Sequence, residues 1–174
     1  MTLAAGLALW ALAFVLLPQP LVVRITLAGP LLVVPTLLAA HPAGVSVRRL
    51  GGWWSLSAAV PLMIAFALPI SVPATLLTLP WLALTIVTAL LAGRRAFPVL
   101  RRLLDPGRAP ELGALASLGF LGVGAAFLTI DRAGLRPFEF PAEIILLTGT
   151  HFHFAGFGLL TLGVVLVAGA RALT

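Results

Sequence analysis

Cysteine and lysine are both missing from these 174 residues, and only 9% of the chain is charged. Without cysteine there is no disulfide, no thiolate metal site and no thiol nucleophile, so any metal would have to be held by histidine and carboxylate. Without lysine, all 11 positive charges are arginine, and together with abundant Ala, Gly, Leu and Val this points to a GC-rich bacterial gene. A soluble domain carries roughly a quarter charged residues. That class is therefore excluded, and what fills the space is apolar: 61% of the residues are hydrophobic. The chain reads as an integral membrane protein. Its net charge of +6 resembles a nucleic-acid signal, but the arginines sit at the ends of apolar runs, where they face anionic headgroups and set orientation. Membrane lipids are thus expected as partners, and nucleic acid is not.

A helical crossing needs about 20 residues for roughly 30 Å of hydrocarbon. Runs of that kind are predicted at 2–17, 21–40, 53–70, 73–92, 112–130 and 143–170, giving an all-α bundle of about six transmembrane helices in a single domain, 1–174. The first run belongs to this set and is not merely a removable export signal. Pro18 and Pro20 stop the first helix, and Pro30 and Pro35 should kink or break the second, because each removes a backbone donor. "LPISVPA" leaves room only for a tight hairpin, and Trp53 and Trp54 read as interfacial anchors. In "GRRAFPVLRRLLDPGRAP" the apolar residues between arginine pairs predict a short interfacial helix. Six spans put Arg48, Arg49, Arg94, Arg95, Arg101, Arg102, Arg108 and Arg171 on one side, with Arg24, Arg132 and Arg136 on the other. The positive-inside rule then predicts a bacterial inner (cytoplasmic) membrane protein with both termini cytoplasmic. No internal duplication is visible that would mark an inverted-repeat transporter.

Chemistry concentrates near the end of the chain. Asp131, Glu139 and Glu143, three of the five acids, precede "LLTGTHFHFAGFGLL", which holds His151 and His153; Arg132 and Arg136 accompany them. Pro141 suits a first helical turn, and Glu143 just after it favours the positive end of the helix. At about 100° per residue, Thr150 falls below Glu143 with the two histidines about 80° to either side. This predicts a half-helix wall of Glu143, Thr150, His151, His153, Phe157 and Thr161. Gly149, Gly156 and Gly163 form a strip for close helix approach on another face. Histidines at i and i+2 diverge by about 200°, which disfavours one chelated metal. A divalent metal at His151 or His153 therefore stays a lesser alternative, with cofactors otherwise unassigned. Ionisable residues inside a span are costly and mark a path or site by default, although both could be interhelical hydrogen bonders. His41, at the end of the second helix, reads as a boundary residue on the side away from the other two.

"RPFEF", "LLTGTHFHFAGF" and the earlier "LAGPLLVVP" together resemble the YndJ-like family of bacterial membrane proteins. The resemblance implies a multispanning membrane protein, and Arg136, Pro137, Thr148, His151, His153, Ala155, Gly156 and Phe157 carry over by position. Gly149 and Thr150 stand where the family more usually has small apolar residues. The resemblance supplies no reaction.

The functional expectation is an intramembrane His/Glu site performing acid/base chemistry, of isomerase, cyclase or hydrolase type, on a small apolar lipid-like or isoprenoid substrate. His151, His153, Glu143, Asp131 and Glu139 are the candidate catalytic groups, and Arg132, Arg136, Thr150 and Phe157 the candidate substrate-binding groups. The alternatives are a proton-coupled transporter or a non-catalytic accessory subunit, and homo-oligomerisation is compatible with each.

Overall fold

The structure, a computed structural model, describes residues 2–16, 19–100 and 109–172. Among them every regular element is helical. We label the helices α1 (Thr2–Leu16), α2 (Leu21–Ala39), α3 (Val45–Arg48), α4 (Trp53–Ala67), α5 (Val72–Leu100), α6 (Ala109–Arg132) and α7, which runs from Ala142 to Ala172. A 3-10 turn, Pro137–Glu139, precedes α7. Among the described residues four helices are long and apolar enough to cross a membrane: Leu21–Ala39, Val72–Arg95, Ala109–Arg132 and Ala142–Ala170. The other two expected spans, Thr2–Val15 and Trp53–Ala67, are apolar but shorter. The bundle of about six thus comprises four full-length helices and two short ones.

Both irregular helices have a local cause or a local partner. In α2, Gly29–Val33 is a π segment, and the Val34 N–H reaches the Gly29 carbonyl five residues back. Pro30 and Pro35 remove the donors that would have closed ordinary turns here, so the expected kink takes the form of a widened turn. In α7, Phe152–Leu159 is π-helical, although this stretch holds no proline. Here a side chain enters the ladder: the Gly149 carbonyl, the normal α-helical acceptor for residue 153, bonds the His153 ring at 2.7 Å.

The core is formed where α2, α4, α5, α6 and α7 meet. Leu27, Leu31, Leu38, Leu62, Leu118, Leu121 and Leu128 are fully enclosed around Phe66, Trp81 and Phe157. On α5, Thr78, Trp81, Thr85 and Thr88 share one buried stripe. The three threonine hydroxyls donate to carbonyls three residues back, which lets polar residues pack like small apolar ones.

Two expectations need correction. The short interfacial helix does not begin afresh after Gly93, because α5 continues without interruption to Leu100; residues 101–108 of that expected helix lie outside the described residues. The glycine strip also stops early. Gly149 lies against Leu128 and Gly156 against Phe120, but Gly163 has nothing near it. The π segment between them changes the residues per turn, so a seven-residue spacing no longer stays on one face.

Candidate functional site

The sequence offers His-Phe-His as one wall, and the structure divides it. His153 is fully buried and His151 is exposed, as the roughly 200° divergence of i and i+2 on a helix requires. Glu143 is exposed as well. The expected half-helix of Glu143, Thr150, His151 and His153 therefore does not form one enclosed surface. Thr150 turns inward to meet the Thr26 hydroxyl at 2.6 Å, joining α7 to α2. His151 meets the edge of the Phe152 ring, with centroids 5.7 Å apart.

His153 is pinned at both ring nitrogens. The Trp81 indole N–H donates to its Nε2 at 3.1 Å, and indole nitrogen is a donor only. Nε2 must therefore be unprotonated, so Nδ1–H donates to the Gly149 carbonyl. Trp81 also stacks on the imidazole, with centroids 5.8 Å apart and planes 20° from parallel. The space is shaped for this ring: a Cβ on Gly124 would lie 2.7 Å from Nδ1, and one on Gly29 would lie 3.0 Å from the His153 Cβ. His153 thus sits between the α2 π segment and α6, with no free nitrogen.

His41 lies just past the end of α2, as expected of a boundary residue, and it is also fully buried. Its ring stacks on Phe157 at 6.1 Å with planes 12° apart, one turn of α7 beyond His153. The Ala43 N–H donates to Nδ1 at 3.1 Å, so Nε2 carries the proton and donates to Ser117 Oγ at 3.0 Å. Ser117 Oγ also accepts from the Thr161 hydroxyl at 3.2 Å and itself donates to the Ala114 carbonyl at 2.8 Å. This is the opposite tautomer to that of His153. In it, Nε2 cannot accept the serine proton, so the pair is not an activated Ser-His nucleophile. Burial pushes the His41 imidazole down to about 4, which keeps it neutral at physiological pH.

The remaining expected site residues gather at the opposite end of the bundle. Asp131 is buried and accepts from both Nε and Nη2 of Arg132, at 2.9 and 2.7 Å. The same guanidinium lies 4.5 Å above the Phe66 ring, and the Arg132 carbonyl accepts from Thr75 at 3.1 Å. These contacts staple α6 to α4 and α5. Arg136 donates to the neighbouring Leu135 carbonyl, and Glu139 is exposed in the 3-10 turn, with φ of +58°. Among the described residues no group of three or more His, Cys, Asp or Glu is arranged to hold a metal ion.

A cleft of about 350 Å³ opens at the arginine-rich end. Its walls come from Pro42, Ala43 and Gly44, from Arg95 on α5, from Pro110, Glu111, Ala114 and Leu115 on α6, and from Val164 and Ala168 on α7. Three of these positions lie directly around the His41 cluster: Ala43 and Ala114 bond to His41 and Ser117, and Val164 is one turn beyond Thr161.

The YndJ-like protein family profile matches residues 24–173, nearly the whole chain and every buried polar group described above. The chain belongs to the YndJ-like family. No curated protein and no solved structure matches it. In this YndJ-like chain, Trp81 and Ser117 join the site without having been singled out from the sequence, whereas Thr161 was expected on the α7 wall. Trp81 had a usable signal, since an indole placed mid-span rather than at an interface needs a buried acceptor.

Proposed function

We propose that the protein acts on a small lipid-like molecule taken from the membrane into the cleft, and that its acid/base group is His41 rather than His151 or His153. The observation that carries this reading is an apolar-walled cavity lined by Ala43 and Ala114, the two residues whose backbone groups bond the buried His41 and Ser117. A volume of about 350 Å³ falls within the roughly 300–1,000 Å³ usual for ligand pockets. Among the described residues the contact holding His41 Nδ1 is the N–H of Ala43, itself a cleft wall. A ligand that shifts residues 42–44 would release that nitrogen as a base while Ser117 retains Nε2–H. By the positive-inside rule we assign the cleft to the cytoplasmic face of a bacterial inner membrane.

The test is product analysis of purified protein in nanodiscs of total bacterial lipid. Conversion of a lipid species should persist in His151→Ala and disappear in His41→Gln, with helicity unchanged by circular dichroism. Loss in His151→Ala with retention in His41→Gln would return the chemistry to His-Phe-His.

A second reading, proton-coupled transport, is favoured by a different observation. The π segments of α2 and α7 abut, with Gly29 against His153 and Gly158 against Val33, and π turns occur frequently at functional sites. Proton-linked flux in liposomes that requires His153 would support it.

A further inference from the structure

We infer that the cleft takes a single-chain anionic amphiphile, its phosphate or carboxylate head on the Arg95 guanidinium and its tail between α6 and α7. The inference rests on the lipid-like reading above and adds the head group to it. The cleft is two-sided in chemistry. Ala114, Leu115 and Val164 make a buried apolar floor, while Arg95, Glu111 and Ala168 stand exposed at the rim. Beyond Ala168's side of the cleft, α7 shows Val165, Leu166 and Val167 outward, so a chain can enter sideways from hydrocarbon without crossing a polar barrier.

Arg95 is seated to receive a head group. Its guanidinium lies against the Cα of Gly44, where a Cβ would come within 2.5 Å of Nη1. Gly44 holds φ of +104°, a conformation that L side chains rarely adopt, so the loop is built to let the guanidinium approach. Among the described residues no carboxylate is bonded to Arg95, and Glu111 has an interaction of its own. The fork of a guanidinium matches the two oxygens of a phosphate or carboxylate. A neutral or cationic head would leave it unmatched.

Binding is measured by native mass spectrometry and by competition in neutral detergent, using lysophosphatidylglycerol, lysophosphatidylcholine and inorganic phosphate as probes. Wild type should prefer lysophosphatidylglycerol over lysophosphatidylcholine by about tenfold, the scale of one charge-assisted pair. Arg95→Gln should erase that preference, and Ala168→Phe, at the exposed rim, should block both lipids. Equal binding of the two lipids, still blocked by Ala168→Phe, would overturn the head-group assignment and leave the cleft reading standing. Lipid binding indifferent to Ala168→Phe, or none at all, would overturn both. Inorganic phosphate competing as strongly as lysophosphatidylglycerol would replace the amphiphile with a small-anion site.

Discussion

His153 and His41 are both sealed from solvent, both neutral and both stacked on an aromatic ring, yet they are held differently. His153 is enclosed on every side by Trp81, Gly124, Gly149 and Gly29, and its two hydrogen bonds leave nothing to offer a ligand. His41 has the opposite tautomer and sits behind the cleft wall at Ala43, whose N–H is the one contact on its Nδ1 among the described residues. Burial and polarity alone do not make a site. On the reading proposed above, what separates them is the neighbouring cleft and the single loop N–H on His41 Nδ1.

The sharpest way to break the comparison is to remove the ring at the closed position. His153→Ala leaves a cavity and strands the Trp81 N–H, so it should cost about 3 kcal/mol of stability, read as a lowered thermal midpoint in detergent. Gly124→Ala forces a methyl to 2.7 Å from Nδ1 and should cost about 2 kcal/mol by overpacking. Trp81→Phe keeps most of the stacking and deletes one donor, with a loss of about 1 kcal/mol expected.

His41 sharpens the contrast through pH. Its folded value, about 4, lies below the ordinary 6.5, so the unfolded chain binds the extra proton between the two. Stability from neutral His41 is therefore complete above about pH 6.5 and is lost as pH falls toward 4. The thermal midpoint should drop across that window, and His41→Gln should flatten the drop. Smallest of all, His151→Ala removes an exposed side chain and should change stability by less than about 0.5 kcal/mol.

Much of this was legible in the residues. The apolar runs predicted the helices, Pro30 predicted an irregular α2, and the i,i+2 spacing of the histidines already implied opposite directions. The shared wall failed because it counted directions about the helix without knowing which face was inward. Trp81 lies 72 residues from His153 and Ser117 lies 76 from His41, and such pairings are invisible to local periodicity. The π turn of α7 was equally hidden, since a side-chain bond to Gly149 accompanies it rather than a proline. His41 looked like a helix end because in sequence it is one; packing against Phe157 and Ser117, distant in sequence, buries it.

The most direct test of the account is nitrogen-15 NMR of histidine-labelled His151→Ala protein in nanodiscs at pH 7, where only His41 and His153 contribute. Two neutral imidazoles of opposite tautomer are predicted, His41 protonated on Nε2 and His153 on Nδ1, with the cleft ligand shifting His41 alone. Two imidazoles of the same tautomer, or a ligand response at His153 and none at His41, would contradict it.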